Sequence, residues 1–136
     1  MDFMKSLFVA ASGLKAQSGR MRVIAENIAN ADSTGRTPNA DPYRRRIPTF
    51  ESIYDSKMQA SKVELGRIET DNSKFKTRFN PSHPAADPEG FVKMPNVDRL
   101  VEAVDMREAQ RSYEANLNVI TSTRTMLART LDILRA

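Results

Sequence analysis

All seven prolines, at positions 38, 42, 48, 81, 84, 88 and 95, fall in the middle of this 136-residue chain. Proline removes a backbone N–H and clashes with the preceding turn, so helix interiors exclude it. Outside that middle section the only glycines are Gly13 and Gly19. The chain therefore reads as two helix-permissive ends around a proline-punctuated centre. Residues 1–32 are expected to form an N-terminal helix, 33–95 a loop and small β section, and 96–136 a C-terminal helix. The length suits one structural unit with one moderate core.

Both ends carry a seven-residue period. Leu7, Leu14, Met21 and Ile28 recur every seven positions, with Ala10, Gln17, Ile24 and Ala31 three residues after each. These are a and d positions of a heptad, so one narrow apolar seam is predicted along a helix over residues 4–30, about 40 Å long. Small Ala10 and Ala31 and polar Gln17 weaken the seam, and Gly13 and Gly19 each cost about 1 kcal/mol relative to alanine. Near the other end, Met106, Tyr113, Ile120, Leu127 and Leu134 are again seven apart, and Leu117 and Leu131 widen the stripe. Asn96 or Asp98 supplies an N-cap after Pro95. Val97, Val101 and Val104 are offset from the main register, as in a stutter. The fold class expected is mainly α: two long terminal helices in a coiled-coil-like hairpin, with a small irregular β-containing centre. The seams pair with each other, with other copies, or with both.

In the centre, residues 73–79 (SKFKTRF) alternate strictly, with Phe75, Thr77 and Phe79 on one face and Lys74, Lys76 and Arg78 on the other. That pattern predicts a half-buried strand. Val63–Leu65 and Phe91–Met94 are shorter strand candidates, and residues 33–42 read as an exposed loop.

The net charge is +4. A nucleic-acid binder concentrates its cations on one face, whereas here acids are interleaved throughout. Only Arg44–Arg46 and the Lys74/Lys76/Arg78 face cluster cations; each is a solvated face or a phosphate contact. A basic adaptor for nucleic acid or an anionic surface is the alternative function these clusters leave open. No apolar run is long enough to span a membrane. The start, with Asp2 and a single early lysine, lacks the basic lead of a cleavable signal peptide.

Chemistry is hard to place. The chain has no cysteine and one histidine, which excludes disulfides, thiolate metal sites and multi-histidine centres. His83 lies among prolines, and a His83/Asp87 pair is too few ligands for a metal. Five dispersed glycines make no phosphate loop. No catalytic residue, cofactor or metal is expected.

Three segments in order carry a family resemblance. Residues 20–34, RMRVIAENIANADST, resemble the Ala-Asn-Ile-Ala-Asn motif of flagellar rod and hook subunits. Residues 79–97, FNPSHPAADPEGFVKMPNV, resemble the His-Pro to Pro-Asn-Val segment of the proximal-rod members of that family. Residues 104–116, VDMREAQRSYEAN, are similar to the C-terminal helix of the same axial proteins. Phe91 stands where the family often has tyrosine, and Asp98 where a proline often follows Asn-Val. The loop from Arg36 to Pro42 carries little of the family pattern.

The resemblance implies a non-enzymatic building block of the bacterial flagellar basal-body rod, an axial drive shaft that transmits torque around an export channel. It implies export through the flagellar type III apparatus without a cleavable signal. Its implied partners are other copies, the B-, F- and G-type rod subunits, and the adaptor between rod and MS ring, with no nucleic acid and no membrane span. The expected subunit interface comprises Leu7, Leu14, Met21, Ile24, Asn27, Ile28, Asn30, Met106, Tyr113, Asn116, Leu117, Ile120, Leu127, Leu131 and Leu134. The asparagines would act by hydrogen-bonding across it, or else serve as helix-end and surface amides. His83, Pro84, Gly90, Pro95 and Asn96 are expected to form a stiff central arm bracing neighbours.

Overall fold

A computed structural model describes residues 2–136. Helix α1 runs Phe3–Ala29 and helix α2 Arg99–Arg135, with six short strands between: β1 Arg46–Ile47, β2 Phe50–Asp55, β3 Ala60–Leu65, β4 Glu69–Thr70, β5 Lys76–Phe79 and β6 Phe91–Met94. The strands pair antiparallel as β1–β4, β2–β3 and β5–β6. The expected mainly-α fold with small central sheets is the one observed.

Local chemistry sets the helix ends. Asp2 caps α1, its Oδ1 accepting from the N–H groups of Met4 and Lys5 at 3.0 and 3.2 Å. Asp98 caps α2, accepting from Leu100 and Val101 at 2.9 and 3.4 Å. Each cap satisfies N–H groups that the first turn leaves without partners. Asn30 closes α1: its backbone N–H and its Nδ2 both donate to Glu26 O.

The strand predicted over 73–79 is shorter than its alternation suggests. Asn96 Nδ2 donates to Ser73 O and Oγ at 3.3 and 3.1 Å. This holds Ser73 on a side chain, and the β5–β6 ladder begins only at Lys76. The candidate at Phe91–Met94 is β6 with the same bounds, and Val63–Leu65 is the end of β3. Strands β1, β2 and β4 had no sequence signal strong enough to be predicted.

The chain divides into two compact units. One gathers α1 up to Met21, residues 48–67 and α2 from Arg107. Here the helices pack antiparallel: Gly13 lies against Asn116, where a Cβ would meet the amide at 2.8 Å, and Arg20 pairs with Glu108 at 3.7 Å. The β2–β3 hairpin lies on α1, with Leu65 against Gly19 and Val63 N–H donating to Ser12 Oγ at 3.2 Å. The second unit holds residues 22–47 and 68–106, including β1–β4 and β5–β6. Its buried apolar residues include Val23, Ile24, Ala31, Val92 and Val97.

Along α1 the buried positions are Ala10, Gly13, Ala16, Val23, Ile24 and Asn27. Leu7, Leu14, Met21 and Ile28, the larger residues of the heptad, flank that line half-exposed. Along α2, Glu102, Ala109 and Thr123 are buried, with half-buried Asn116 between them, again seven apart. Met106, Tyr113, Ile120 and Leu127 lie four residues later on the shoulder, half-exposed. Small side chains let two helices approach closely, so the larger apolar residues are left to the flank.

Candidate functional site

Two features dominate the molecule: a buried polar junction in the second unit, and a set of exposed apolar side chains on the helices.

The junction is built on Asn27, which is fully buried in the last turns of α1. Its Nδ2 donates to Arg46 O at 2.8 Å and to Glu102 Oε2 at 3.2 Å. Its Oδ1 accepts from Tyr43 Oη at 2.8 Å and from Arg46 N at 3.0 Å. A carboxamide has two donor hydrogens and two acceptor lone pairs, so every bonding position is filled. Burial, with the Glu26 and Glu102 carboxylates adding to it against an opposing contribution from Arg46, pushes the Tyr43 hydroxyl above its ordinary pKa.

Asn96 does the same work from the other side. Its Oδ1 accepts from Arg45 N at 2.8 Å, and its Nδ2 donates to Asp71 O at 3.0 Å as well as to Ser73. Arg45 then completes the set. Its Nε binds Glu102 Oε1, and its terminal nitrogens lie 3.6 Å from Asp71 and 3.6 Å from Asp105. The Glu102 hydrogen bond raises the Arg45 pKa further. Glu102 is fully buried, and a buried carboxylate is tolerable only when paired and hydrogen-bonded.

The Arg44–Arg46 run is accordingly no phosphate-binding patch. Arg45 is turned inward onto three carboxylates, Arg46 pairs with Glu26 at 3.0 Å, and the Arg44 guanidinium sits 4.1 Å above the Phe75 ring. Alternating signs in the sequence encode this neutralisation, but the residues that pair are far apart in the chain.

Four expected interface residues are engaged inside their own chain. Asn27 has no donor or acceptor left for a neighbouring subunit, and Ile24 is buried. Asn30 Nδ2 is spent on Glu26 O, and Asn116 Nδ2 donates to Ser112 O at 3.0 Å while its amide lies on Gly13. Leu117, Leu131 and Leu134 are instead exposed, Leu134 by 76%, and Leu7, Leu14, Met21, Ile28, Met106, Tyr113, Ile120 and Leu127 are half-exposed. The sequence pattern missed Glu102, Arg45 and Tyr43. Glu102 lies four residues before Met106, off the apolar register read from the sequence, so its burial left no signal there.

In the central arm, Pro95 and Asn96 are buried and Pro84 is exposed. Gly90 has φ +91°, and a Cβ there would lie 2.9 Å from the Phe79 ring and 3.1 Å from Pro81. His83 Nδ1 accepts from Ala85 N at 3.0 Å, which leaves Nε2 to donate to Thr34 Oγ1 at 3.2 Å. The imidazole is thus a strut between the arm and the chain following α1. Among the described residues no group of three or more His, Cys, Asp or Glu is placed to hold a metal, and no helix is long and apolar enough to cross a membrane.

The site is a buried polar clamp, and the helices keep large apolar side chains uncovered. Family comparison gives the class. A model described as flagella basal body rod protein matches residues 7–35, and one described as flagellar basal body rod FlgEFG protein C-terminal matches residues 89–133. Both helix-bearing ends therefore carry the pattern of flagellar rod proteins, and the chain is a non-enzymatic structural subunit of the basal-body rod that assembles with other rod subunits.

The chain is 52% identical to flagellar basal-body rod protein FlgC of Agrobacterium fabrum, over 94% of its own length and 92% of that relative. It is 39% identical to FlgC of Bacillus subtilis, over 98% and 99% of the two chains. With FlgC of Salmonella typhimurium it shares 38% identity over 92% of each. The chain belongs to the FlgC family of flagellar basal-body rod proteins.

Proposed function

We propose that this subunit builds the proximal part of the rod by laying the uncovered faces of α1 and α2 against neighbouring subunits, so that the stacked helices form a torque-bearing shaft around an export channel. Its neighbours in this reading are further copies, the B-, F- and G-type rod subunits and the adaptor to the MS ring. The type III export apparatus delivers it.

One observation carries the reading. The intramolecular hairpin uses small and polar residues, and it leaves Leu117, Val119, Met126, Leu131, Ile133 and Leu134 exposed on α2. At about 3.6 residues per turn, Leu117 and Leu131 fall on one flank of α2 and Val119, Met126 and Ile133 on the other. Each such side chain gains roughly 1.5–3 kcal/mol on full burial, so helices laid on the two flanks gain several times that. The marginal stability of isolated helices suits a chain that is threaded out before it assembles. Leu7, Leu14, Met21, Ile28, Met106, Tyr113, Leu117, Ile120, Leu127, Leu131 and Leu134 remain the proposed contact residues, and Pro84, Gly90 and Pro95 set the arm that braces the next subunit.

The test is the pair Leu131→Asp and Leu134→Asp in one chain. Both positions are exposed in the single chain, so circular dichroism and unfolding of the purified protein should match wild type. Incorporation into isolated basal bodies, and swimming, should be lost. Normal swimming with wild-type protein levels would refute the assignment.

A further inference from the structure

Two free sheet edges in this fold are complementary to each other. Strand β3 turns its outer edge to α1, since Val63 N–H donates to Ser12 Oγ. Among the described residues no strand pairs with the outer side of β2, and Phe50, Ile53 and Tyr54 are 42%, 38% and 64% exposed. Gly66 N–H donates to Thr49 O at 2.7 Å, whereas Val63 N–H points away from β2. The hydrogen-bonded pairs with β3 are therefore those of the odd-numbered β2 residues. In an antiparallel ladder the groups of the alternate residues point the other way, so the N–H and C=O of Phe50, Ser52 and Tyr54 face out of the edge.

Strand β5 is exposed at all four positions and pairs with β6 alone. Asn80 N–H donates to Gly90 O at 2.9 Å, one step past the Phe79–Phe91 pair. The even-numbered residues of β5 are thus bonded to β6, and Thr77 and Phe79 turn their backbone groups outward. Among the described residues, Lys74, Lys76 and Arg78 lie in no ion pair, and neither do Glu51 and Asp55.

We propose that β2 of one copy adds antiparallel to β5 of a second copy, with Phe50 opposite Phe79, Ser52 opposite Thr77 and Tyr54 opposite Phe75. In this register the outward backbone groups of both edges are in phase. Within the two strands one face gains the Phe50–Phe79 aromatic pair and the other sets Glu51 opposite Arg78; past the end of β5 the same register brings Tyr54 toward Phe75 and Asp55 toward Lys74. Opposite charges and aromatic pairs directly across a ladder are the stabilising ones. The two bodies also avoid each other. In the first copy the face that holds Phe50 is covered through Leu65 on α1, while in the second the opposite face is covered through buried Val92, which pairs with Arg78. The contact is heterologous: the first copy keeps its β5 edge free and the second its β2 edge, so each end of the pair can take a further copy. This inference rests on the reading that copies pack side by side in the rod.

The absence of cysteine makes the test direct. Ile53 and Lys76 would face each other as a non-hydrogen-bonded pair, with Cα atoms about 4.5 Å apart, within disulfide reach. Cells co-expressing an Ile53→Cys chain and a Lys76→Cys chain should yield basal bodies in which mild oxidation links the two. A Ser52→Cys chain with the Lys76→Cys chain, whose thiols lie on opposite faces, should give on the order of tenfold less product. Rods that contain both chains but show no 53–76 product, or equal product from the control, would overturn strand pairing and leave helical packing standing. If a cysteine chain stays out of rods, charge exchange decides. Glu51→Arg and Arg78→Glu should each lower incorporation, and the two in one chain should restore it; no restoration overturns the proposal.

Discussion

Asn27 and Glu102, 75 positions apart in sequence, share a 3.2 Å hydrogen bond with neither side chain reaching solvent. Through it, the end of α1 and the start of α2 meet inside one unit. Asn27→Asp would remove both donors and set a second carboxylate against Glu102. Loss of a buried bond and an unpaired buried charge together cost about 3 kcal/mol or more. Urea unfolding of the full chain at neutral pH should show that loss, and a change under about 1 kcal/mol would contradict a saturated Asn27.

Arg45→Ala should be about as damaging, roughly 3–5 kcal/mol, because Glu102 would stay buried without its cation. Arg45→Lys should recover only part, since one ammonium cannot serve Glu102, Asp71 and Asp105 from three nitrogens as the guanidinium does. Arg44→Ala should be far milder. Equal midpoints for the Arg44 and Arg45 variants in denaturant would return the arginine run to the surface.

The junction also predicts an acid limit. The Ser73 backbone N–H and hydroxyl, with Arg45 adding to them, hold the Asp71 carboxyl below the ordinary carboxylate range. A carboxyl lowered on folding contributes stability that is present above its unfolded value, near pH 4, and lost as pH falls through the folded one. Asp71→Asn should therefore be less stable than wild type at neutral pH, and the gap should narrow below about pH 4. A gap that is constant from pH 7 to 3 would remove Asp71 from the account.

Much of this architecture was readable from the chain. Proline placement confined the helices to the two ends of the chain, the heptad period set α1 to within one residue of its bounds, and Asp98 was one of the two caps, with Asn96, that the sequence offered after Pro95. Phe91–Met94 was legible because a glycine turn precedes it. The junction was not. Arg45 looks like its neighbours Arg44 and Arg46, and only folding decides which arginine meets Glu102. Heptad spacing found the apolar shoulder of α2, at Met106 and Tyr113, but not the buried line at Glu102 and Ala109. A hydrophobicity pattern assumes that the largest apolar side chains are the buried ones. A single chain of two helices covers one stripe, and here small residues such as Ala10, Ala16 and Ala109 share it with the polar Asn27 and Glu102.

In the arm, Gly90→Val should be more harmful than His83→Ala. Valine would be strained at φ +91° and its Cβ would press on Phe79 and Pro81, a cost of about 1–3 kcal/mol for the backbone alone. His83→Ala loses two hydrogen bonds at a part-buried site, about 0.5–1.5 kcal/mol each. His83→Gln should recover part of that loss by reaching Thr34. Thermal unfolding and motility should rank the three together, and a His83→Ala defect as large as that of Gly90→Val would give the imidazole a role beyond bracing.

Gln17 offers a prediction of opposite sign. It occupies a d position of the α1 heptad, and its Oε1 is buried with no hydrogen-bond partner. An unpaired buried acceptor costs about 1–3 kcal/mol, while an apolar group of similar size escapes that penalty. Gln17→Leu keeps the helix propensity and supplies an apolar side chain to the line that runs from Ala10 to Ile24. The purified chain should therefore unfold at higher denaturant, by about 1 kcal/mol. Assembly is the sharper readout. If the amide serves only the single chain, Gln17→Leu rods should form and turn normally. If the stabilised chain fails to enter rods, the accessible part of the half-buried Gln17 side chain meets a neighbouring subunit, and α1 contributes a polar contact to the shaft at that turn.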